Sequence, residues 1–348
     1  MRAPAEALRW APLGRTATRV TRLGLGTAPL GNLYAPVAED AALAALQAAY
    51  ALGIRYFDTA PLYGHGLSEH RCGEALRRYP RDTFVLSSKV GRLLRPGRAP
   101  GDAFDGYADA LPFRTVYDYG HDATMRSFED SLQRLGMDRI DMLLVHDIDV
   151  RTHGVVAQKA RMEEALAGAF PALQRLRSEG AVGAIGLGVN EVGVCVDVAR
   201  RVDLDCILLA GRYSLLEQDA LDELLPLCEA SGIGVIIGGP FNSGILAGRT
   251  DAVGRYDYAI APSEIVERVR RIETVCRRHG VALAAAALQF PYGHPAVATV
   301  IPGARTRAEL EQNVAALRVA IPDDLWRELK AERLLHDDAP CPRSASGA

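Results

Sequence analysis

The sequence predicts an α/β fold of the (β/α)8 TIM barrel type, formed as a single domain by residues 13–335. Short runs rich in apolar and β-branched residues alternate with longer stretches whose apolar residues recur three and four positions apart. That alternation is typical of parallel βα units. Eight such runs occur in a chain of 348 residues, a length that suits one TIM barrel. A doubly wound sheet is the alternative fold.

The individual elements follow from these runs and from the residues that end them. Helices in this pattern tend to stop at a glycine, which adopts the left-handed backbone that closes a last helical turn. Gly53, Gly136 and Gly280 occupy such positions. The strands are predicted at residues 22–26, 55–58, 84–89, 141–146, 183–189, 206–210, 234–238 and 298–301. Helices are predicted at residues 39–52, 68–78, 122–135, 217–230 and 263–279. We expect residues 1–12 and 336–348 to be frayed ends.

Two long connections interrupt the rhythm of strand and helix. Residues 91–121 follow the third predicted strand, and residues 239–262 follow the seventh. In a barrel both would lie on the carboxyl-terminal rim, where active sites are built. Surface insertions of no consequence are the alternative, but long irregular loops in compact domains are usually functional or disordered. We therefore interpret both connections as parts of a site.

The composition excludes several classes of partner. A formal net charge of −3 gives no general attraction to nucleic acid or to anionic lipid. No apolar run reaches the roughly 20 residues that span a membrane, and the first twenty residues lack the apolar core of a signal peptide. The six cysteines show no metal-ligand spacing. We expect a cytoplasmic protein with a small-molecule substrate, no bound metal, no nucleic-acid partner and no membrane.

Four residues with proton-transfer chemistry stand at or just after the ends of predicted strands. Asp58, Lys89 and His146 each close a strand, and Tyr63 follows Asp58 by five positions. A phenol has a reference pKa of about 10 and is a useful acid near neutral pH only if its anion is stabilised. A lysine ammonium would stabilise that anion, and a neighbouring carboxylate would keep the lysine charged. An imidazole can direct a carbonyl oxygen toward the phenol.

Each of these residues alone has a plainer explanation. Asp58 is explained as a turn residue, Tyr63 as a packing aromatic, Lys89 as a solvated side chain and His146 as a core histidine. Three different strands that each end in an ionisable group are nevertheless the arrangement by which barrels assemble catalytic sites. The combination therefore favours a catalytic site.

The glycine-rich segments do not indicate a nucleotide-binding motif. Gly24 and Gly26 follow the first strand, but Pro29 stands where the dinucleotide fingerprint G-x-G-x-x-G requires glycine. No phosphate-binding G-x-x-x-x-G-K-[ST] loop occurs. The glycines of residues 183–188 are explained by a closely packed barrel strand.

The four residues and their surrounding phrases resemble the aldo-keto reductase family, whose catalytic tetrad is Asp, Tyr, Lys and His. The resemblance covers nearly the whole chain. It is similar in detail to the branch that contains D-threo-aldose 1-dehydrogenase, L-fucose dehydrogenase and pyridoxal 4-dehydrogenase. The segments that carry this similarity are residues 24–33, 118–119, 145–147, 210–216 and 241–244. The resemblance implies a TIM barrel that binds NAD or NADP along its rim, without a Rossmann domain or a metal.

The resemblance also implies roles for the tetrad. Tyr63 would donate or accept the proton, and Lys89 would depress the pKa of Tyr63. Asp58 would pair with Lys89, and His146 would orient the carbonyl group of the substrate.

The same resemblance implies a cofactor site. Tyr213 would stack on the nicotinamide ring, Asn190 would bind the carboxamide, and residues 241–246 would cover the pyrophosphate. Ala210 departs from the family pattern, because many members carry glutamine there. The expected cofactor contacts are Gly26, Thr27, Asn190, Tyr213, Pro240, Phe241, Asn242, Ser243, Gly244, Leu246, Gly303, Ala304, Arg305, Glu309 and Asn313.

The segment after the last strand favours NAD over NADP. Gly303 and Ala304 replace the Lys-Ser pair of many NADP-dependent members, and Glu309 stands where those members carry arginine. A carboxylate there should accept hydrogen bonds from ribose hydroxyls and repel a 2′-phosphate. Arg305 and Arg307 could restore NADP binding, and a solvated helix residue is the alternative explanation for Glu309.

We therefore expect an oxidoreductase that transfers hydride between a nicotinamide and a small carbonyl compound, oxidising an aldose to a lactone. The 91–121 connection supports a sugar because its polar side chains could bind hydroxyls, unless they simply face solvent. Those side chains are Asp102, Asp105, Tyr107, Asp109, Arg114, Tyr117, Asp118 and Tyr119. Alternatives are pyridoxal oxidation, general aldehyde reduction, an aldolase with a Schiff base on Lys89, and a regulatory subunit that only senses the cofactor.

Overall fold

A computed structural model describes residues 8–97, 106–248 and 254–343 of the chain. Within these ranges the strands are β1 (Trp10–Pro12), β2 (Arg19–Thr21), β3 (Leu25–Gly26), β4 (Tyr56–Asp58), β5 (Val85–Val90), β6 (Arg92–Pro96), β7 (Phe113–Tyr117), β8 (Met142–His146), β9 (Ala184–Val189), β10 (Cys206–Ala210), β11 (Gly234–Gly238), β12 (Arg255–Tyr256), β13 (Ala259–Ile260) and β14 (Val297–Ile301). Each of the eight predicted strand segments overlaps one of these strands, to within one residue at the end of each strand.

The helices alternate with the strands of the main sheet. They are α1 (Glu39–Ala51), α2 (Leu67–Leu76), α3 (His121–Leu135), α4 (Val150–Glu164), α5 (Phe170–Ser178), α6 (Val192–Arg201), α7 (Leu224–Ser231), α8 (Ser263–Arg278), α9 (Leu283–Gln289), α10 (Arg307–Leu317) and α11 (Asp323–Ala331). Four of the five predicted helices begin and end within two residues of these bounds. The predicted helix at 217–230 starts later, because a short 3-10 turn at Asp219–Leu221 precedes α7.

The eight strands of the main sheet form a closed parallel barrel. Their order is β3, β4, β5, β8, β9, β10, β11 and β14, and neighbouring strands run parallel. Parallel bridges between Leu23 and Val300 and between Gly26 and Gly303 join the first strand to the last. This closure confirms the predicted TIM barrel and excludes the doubly wound sheet.

Two separate apolar cores support the barrel. One lies between the strands and the surrounding helices, and it is large. The other fills the interior of the barrel with Tyr56, Met142, Leu144, Leu208 and Ile236, among others. Side chains that point outward from the strands therefore pack under helices, whereas side chains beyond the carboxyl ends of the strands are available for a site.

Both chain ends are more ordered than expected where the structure describes them. β1 pairs with β2 in an antiparallel hairpin, and Leu13 in its turn is buried in the interior core. At the other end, His336 donates its backbone N–H to Gln218 at 2.7 Å, and Ala339 is fully buried. Residues 8–12 and 336–343 thus make contacts with the rest of the barrel, and the other residues of both segments lie outside the described ranges.

The two long connections contain regular structure that the sequence analysis missed. β6 and β7 form an antiparallel hairpin within residues 91–121, and β12 and β13 form a second hairpin within residues 239–262. The aromatic and β-branched residues of β7, Phe-Arg-Thr-Val-Tyr, were the available signal for a strand. Asp102 and Asp105 lie outside the described residues. None of the described helices is long and apolar enough to cross a membrane.

Candidate active site

A buried ion pair lies at the carboxyl ends of β4 and β5. Lys89 Nζ donates to Asp58 Oδ2 at 2.7 Å, and both residues are almost inaccessible, at 1% and 2% exposure. The other carboxylate oxygen accepts a hydrogen bond from Ser87 Oγ at 2.6 Å, and Lys89 Nζ also donates to the carbonyl of Thr59 at 2.9 Å. A buried charge pair persists only when its remaining hydrogen-bonding groups are satisfied. These contacts therefore fix the lysine in one position.

Tyr63 lies in direct contact with this ion pair. It follows β4 on a short loop, and Lys89 Nζ donates to the Tyr63 phenol oxygen at 3.1 Å. A positively charged donor at this distance stabilises a phenolate more than a phenol. The structure thus brings together three of the four residues that were proposed to move the proton.

The pKa of Tyr63 moves opposite to the direction that the resemblance implied. Burial of the phenol group and the negative charge of Asp58 raise the pKa of Tyr63 well above its usual value. The reason is that Asp58 faces the same lysine and offsets its charge, so burial dominates. In the protein alone Tyr63 therefore carries its proton at neutral pH, which suits a proton donor.

His146 completes the group from the end of β8. Its ring meets the Tyr63 ring edge to face, with the centroids 6.0 Å apart. Burial, and then the positive charges of Arg92 and Lys89, hold the pKa of His146 well below its usual value. The imidazole is therefore neutral at pH 7, so it can form hydrogen bonds without adding a charge.

A cavity of about 410 Å³ opens beside these residues. Asp58 and Tyr63 line the part that we call the inner end. Glu309, Gln312 and Asn313 of α10 line the part that we call the outer end. The predicted cofactor residues that line the cavity are Gly26, Asn190, Pro240, Phe241, Asn242, Ser243, Gly244, Gly303, Ala304, Arg305, Glu309 and Asn313. Residues from five segments far apart in sequence thus meet at one surface.

Three predicted cofactor residues lie elsewhere. Tyr213 is fully buried against Phe290, with ring centroids 5.2 Å apart, and does not line the cavity. The left-handed backbone of Gly211, with φ of +67°, turns the chain just before Tyr213. Leu246 is fully buried in the core under the helices. Thr27 is also fully buried, and its hydroxyl donates to the Asp58 carbonyl at 2.8 Å.

Several lining residues escaped the sequence analysis. Asp257 and Tyr258 belong to the β12–β13 hairpin and line the cavity together with Arg212. Asp257 forms ion pairs with Arg212 at 2.8 Å and with Arg151 at 2.7 Å. Tyr258 donates its hydroxyl hydrogen to Asn190 Oδ1 at 3.2 Å. The length of the 239–262 connection indicated a functional loop, but it did not show which residues reach the cavity.

The cavity fits an elongated anionic ligand such as a dinucleotide. Asn242, Ser243 and Gly244 have successive positive φ angles of 44°, 60° and 100°. Asn242 and Gly244 donate their backbone N–H groups to the carbonyls of Gly239 and Phe241, both at 2.9 Å, so the turn forms a fixed part of the cavity wall. A Cβ atom added at Gly244 would meet nothing within 4 Å, so the turn has open space beside it. Arg212 and Arg305 add positive charge to the lining.

The far end of the cavity carries the carboxylate of Glu309. Its Oε2 accepts the backbone N–H of Arg305 at 2.7 Å, so Glu309 also caps the start of α10. The Arg305 side chain donates to the Leu33 carbonyl at 2.8 Å. Arg307 pairs with Glu311 at 2.8 Å and is largely exposed. Of the two arginines considered for NADP, Arg305 alone lines the cavity.

Two other kinds of chemistry, at a metal ion or through a Schiff base on Lys89, have less support from the described residues than proton transfer by Tyr63. In the part of the chain that the structure describes, no three His, Cys, Asp or Glu side chains cluster in a way that could hold a metal ion. Lys89 Nζ is held by Asp58 at 2.7 Å and by the Thr59 carbonyl at 2.9 Å, and an attack on a carbonyl carbon would have to break these contacts. The geometry therefore suits Lys89 as a fixed positive charge.

Residues 22–332 match the sequence model of the aldo/keto reductase family. The chain is 47% identical to pyridoxal 4-dehydrogenase of Microbacterium luteolum, over 93% of this chain and 97% of that protein. It is 42% identical to D-threo-aldose 1-dehydrogenase of a Pseudomonas species, over 91% and 95% of the two chains. The fold is similar to that of a glycerol dehydrogenase from Gluconobacter oxydans, with a TM-score of 0.72, 21% identity and coverage of 97% and 98%.

Proposed function

This chain belongs to the aldo/keto reductase family and is an oxidoreductase, and we propose that it oxidises the anomeric carbon of a free aldose to a lactone with NAD. The observation that carries this proposal is the contact of Tyr63 with the buried Lys89–Asp58 pair at one end of the cavity. That contact supplies a proton-transfer group beside space for a dinucleotide. The similarity to D-threo-aldose 1-dehydrogenase supports a sugar substrate.

In the proposed reaction each residue of the tetrad acts on a proton or on an oxygen. A nicotinamide dinucleotide held by cavity-lining residues such as Asn190 and Arg305 would supply the hydride acceptor. Tyr63 accepts the proton of the anomeric hydroxyl through its phenol oxygen. Lys89 stabilises the anionic form of that oxygen through its 3.1 Å hydrogen bond. Asp58 holds the lysine in place.

His146 positions the reacting oxygen. Because its pKa is held well below the usual value by burial and by two nearby cations, the ring stays neutral through the physiological range. A neutral imidazole can donate one hydrogen bond to the substrate oxygen while the phenol moves the proton. Fixing that oxygen next to the phenol lowers the entropic cost of the proton transfer.

The preference for NAD is part of the proposal. Glu309 places a carboxylate in the lining at the end of the cavity that would hold the adenosine ribose. A carboxylate favours ribose hydroxyls and disfavours a 2′-phosphate. Family members use nicotinamide cofactors, and the choice between NAD and NADP is proposed here from Glu309.

Pyridoxal is the second candidate substrate. It is supported by the relative with 47% identity, whose name is pyridoxal 4-dehydrogenase. Pyridoxal also forms a cyclic hemiacetal, so the same residues could oxidise it to a lactone. General aldehyde reduction would use the same proton path in the opposite direction, with Tyr63 as the donor.

A substrate panel tests the proposal. Purified protein is mixed with NAD or NADP and with L-fucose, D-arabinose, L-galactose or pyridoxal, and reduction of the cofactor is followed by absorbance at neutral and alkaline pH. We expect oxidation of at least one aldose, with NAD preferred. Oxidation of pyridoxal alone would replace the aldose by the second candidate. Binding of cofactor without any turnover would favour a regulatory subunit, and borohydride trapping of a substrate on Lys89 would favour an aldolase.

A further inference from the structure

A carboxylate that the tetrad does not use lies beside His146. Asp147 follows β8 directly and has a positive φ of 45°, which is uncommon for a residue with a side chain. In an extended strand, consecutive side chains point to opposite sides. The left-handed turn instead brings Asp147 Oδ2 to 3.4 Å from His146 Nε2. The carboxylate therefore sits next to the position where the reacting oxygen would bind.

Neighbouring side chains hold this turn in place. Tyr119 donates its hydroxyl hydrogen to the carbonyl oxygens of His146 and Asp147, with both distances at 2.9 Å. Arg92 Nη2 donates to Asp147 Oδ2 at 2.6 Å. Arg92 belongs to β6, three residues after the catalytic lysine in sequence. Strain at a left-handed residue that surrounding contacts maintain is typical of functional sites.

The pair of Arg92 and Asp147 is buried, but each residue keeps a small exposed fraction. Arg92 is 5% exposed and Asp147 is 8% exposed. Arg92 Nε has no hydrogen-bond partner in the described ranges of the chain, although it is buried. Arg92 Nε is therefore out of reach of a ligand, and the role of Arg92 is to hold the carboxylate through Nη2. The partly accessible Asp147 carboxylate is the acceptor that this pair offers to a hydroxyl group.

We propose that Asp147, held in place by Arg92, binds the hydroxyl group on the carbon next to the reacting carbon and thereby selects 2-hydroxylated substrates. This inference rests on the proposed function, because it assigns the hydroxyl of an aldose at carbon 2. Oxygens on adjacent carbons of a sugar lie close together. Asp147 Oδ2 lies 3.4 Å from His146 Nε2. A substrate whose reacting oxygen is bound by His146 therefore places its neighbouring hydroxyl group at Asp147.

The ionisation of Asp147 is compatible with this role. Burial, and to a lesser extent Asp149, raise the pKa of Asp147 to about 6, while Arg92, Lys89 and Arg151 oppose the rise. Above that pH the carboxylate is ionised and accepts a hydrogen bond from a hydroxyl. Hydrogen bonds to charged groups discriminate strongly between a substrate and an analogue that lacks the hydroxyl.

The test compares D-arabinose with 2-deoxy-D-ribose, which is its counterpart without the hydroxyl at carbon 2. For the wild-type protein with NAD, we expect kcat/KM to be at least about tenfold higher for D-arabinose. In Asp147→Asn the ratio should fall toward one, because kcat/KM for D-arabinose drops about 10- to 100-fold. The value for 2-deoxy-D-ribose should change by less than about threefold.

Two further variants keep the test interpretable. The double change Arg92→Met with Asp147→Leu removes both charges and leaves neither partner unpaired, and it should abolish the preference as well. Asp205→Asn is the matched control, because Asp205 is 4% exposed and pairs with Arg177 at 2.8 Å, just before β10 begins. The control should keep the wild-type ratio. Equal losses on both sugars in Asp147→Asn, or an unchanged ratio, would overturn the inference.

Failure of the aldose proposal would be recognised separately. If the wild-type protein oxidises a different aldose of the panel, that sugar and its 2-deoxy counterpart replace this pair. If it oxidises no aldose, the proposed function is wrong, and the same variants are compared in the reduction of lactaldehyde and propionaldehyde with NADH. Only lactaldehyde carries the adjacent hydroxyl. Loss of a lactaldehyde preference in Asp147→Asn would still support the role of Asp147, and an unaltered preference would refute it.

Discussion

The two ends of the cavity differ in how their charges are held. At the inner end, Asp58 and Lys89 are almost fully buried, and each charged group has several hydrogen-bond partners. At the outer end, Glu309 is partly exposed on the first turn of α10 and has the backbone of Arg305 as a partner. Electrostatic effects are stronger in a low-dielectric interior than near water. Single changes at the inner end should therefore alter the chemistry by orders of magnitude, whereas changes at the outer end should adjust cofactor preference.

The largest effect is expected from Tyr63→Phe. The change removes the hydroxyl that moves the proton and keeps the ring, so kcat should fall on the order of 10² to 10⁴. The dissociation constant of the cofactor, measured by fluorescence quenching, should stay nearly the same. Retention of the wild-type kcat would rule out Tyr63 as the proton-transfer group.

Lys89→Met should have the next largest effect. Without the ammonium group 3.1 Å from its oxygen, the phenolate of Tyr63 loses its neighbouring charge, and kcat should fall about 100-fold. Any remaining oxidation should shift to higher pH, because the pKa of Tyr63 rises further. Lys330→Met serves as the control, since Lys330 bonds to the Asp337 carbonyl on the protein surface. A pH profile identical to that of the wild type would contradict the role of Lys89.

Two neighbouring serines on β5 sharpen the comparison within the inner end. Ser87 donates to Asp58 at 2.6 Å, whereas Ser88 donates to Glu69 at 2.7 Å, and both are fully buried. Ser87→Ala should lower kcat roughly tenfold, because the Asp58 carboxylate loses a donor and no longer holds Lys89 in one position. Ser88→Ala should lower the melting temperature without a comparable loss of kcat. Equal kcat values for the two variants would show that the Ser87 contact does not support catalysis.

The smallest effect is expected at the outer end. Glu309→Gln keeps an acceptor for the Arg305 backbone N–H and removes the charge, so the kcat/KM ratio of NADP to NAD should rise about threefold. Glu309→Arg should raise it further, at the cost of the helix cap. Glu311→Gln, on the exposed side of the same helix, is the control. If neither change at Glu309 alters the kcat/KM ratio of NADP to NAD, this carboxylate does not face the ribose.

The same contrast explains what the sequence could predict. The barrel and the positions of Asp58, Lys89 and His146 follow from local patterns, since apolar periodicity locates a strand and an ionisable residue at its end must face the rim. The direction of the Tyr63 pKa shift depends on burial and on the balance of two charges, which local patterns do not contain. The contact of Lys89 with Tyr63 could therefore be predicted from the sequence, whereas the net direction of the Tyr63 pKa shift could not.

The sequence did not show the positions of residues that depend on a single backbone turn or on distant partners. Tyr213 is directed away from the cavity after Gly211, and the sequence does not encode that direction in any local pattern. Asp257 reaches the cavity because Arg151 and Arg212, from two other segments, both bind it. Such contacts join parts of the chain that are far apart, so they become visible only once the barrel has brought them together.

The pH dependence of the two reaction directions tests the central claim about Tyr63 most directly. Burial and Asp58 raise the pKa of the phenol, so Tyr63 is protonated at neutral pH and must lose its proton before it can act as a base. The kcat/KM for oxidation with NAD should therefore rise with pH through the alkaline range, whereas that for reduction should stay level and then fall. Both dependences should disappear in Tyr63→Phe. Oxidation that slows as the pH rises, or a profile that survives in Tyr63→Phe, would contradict the account.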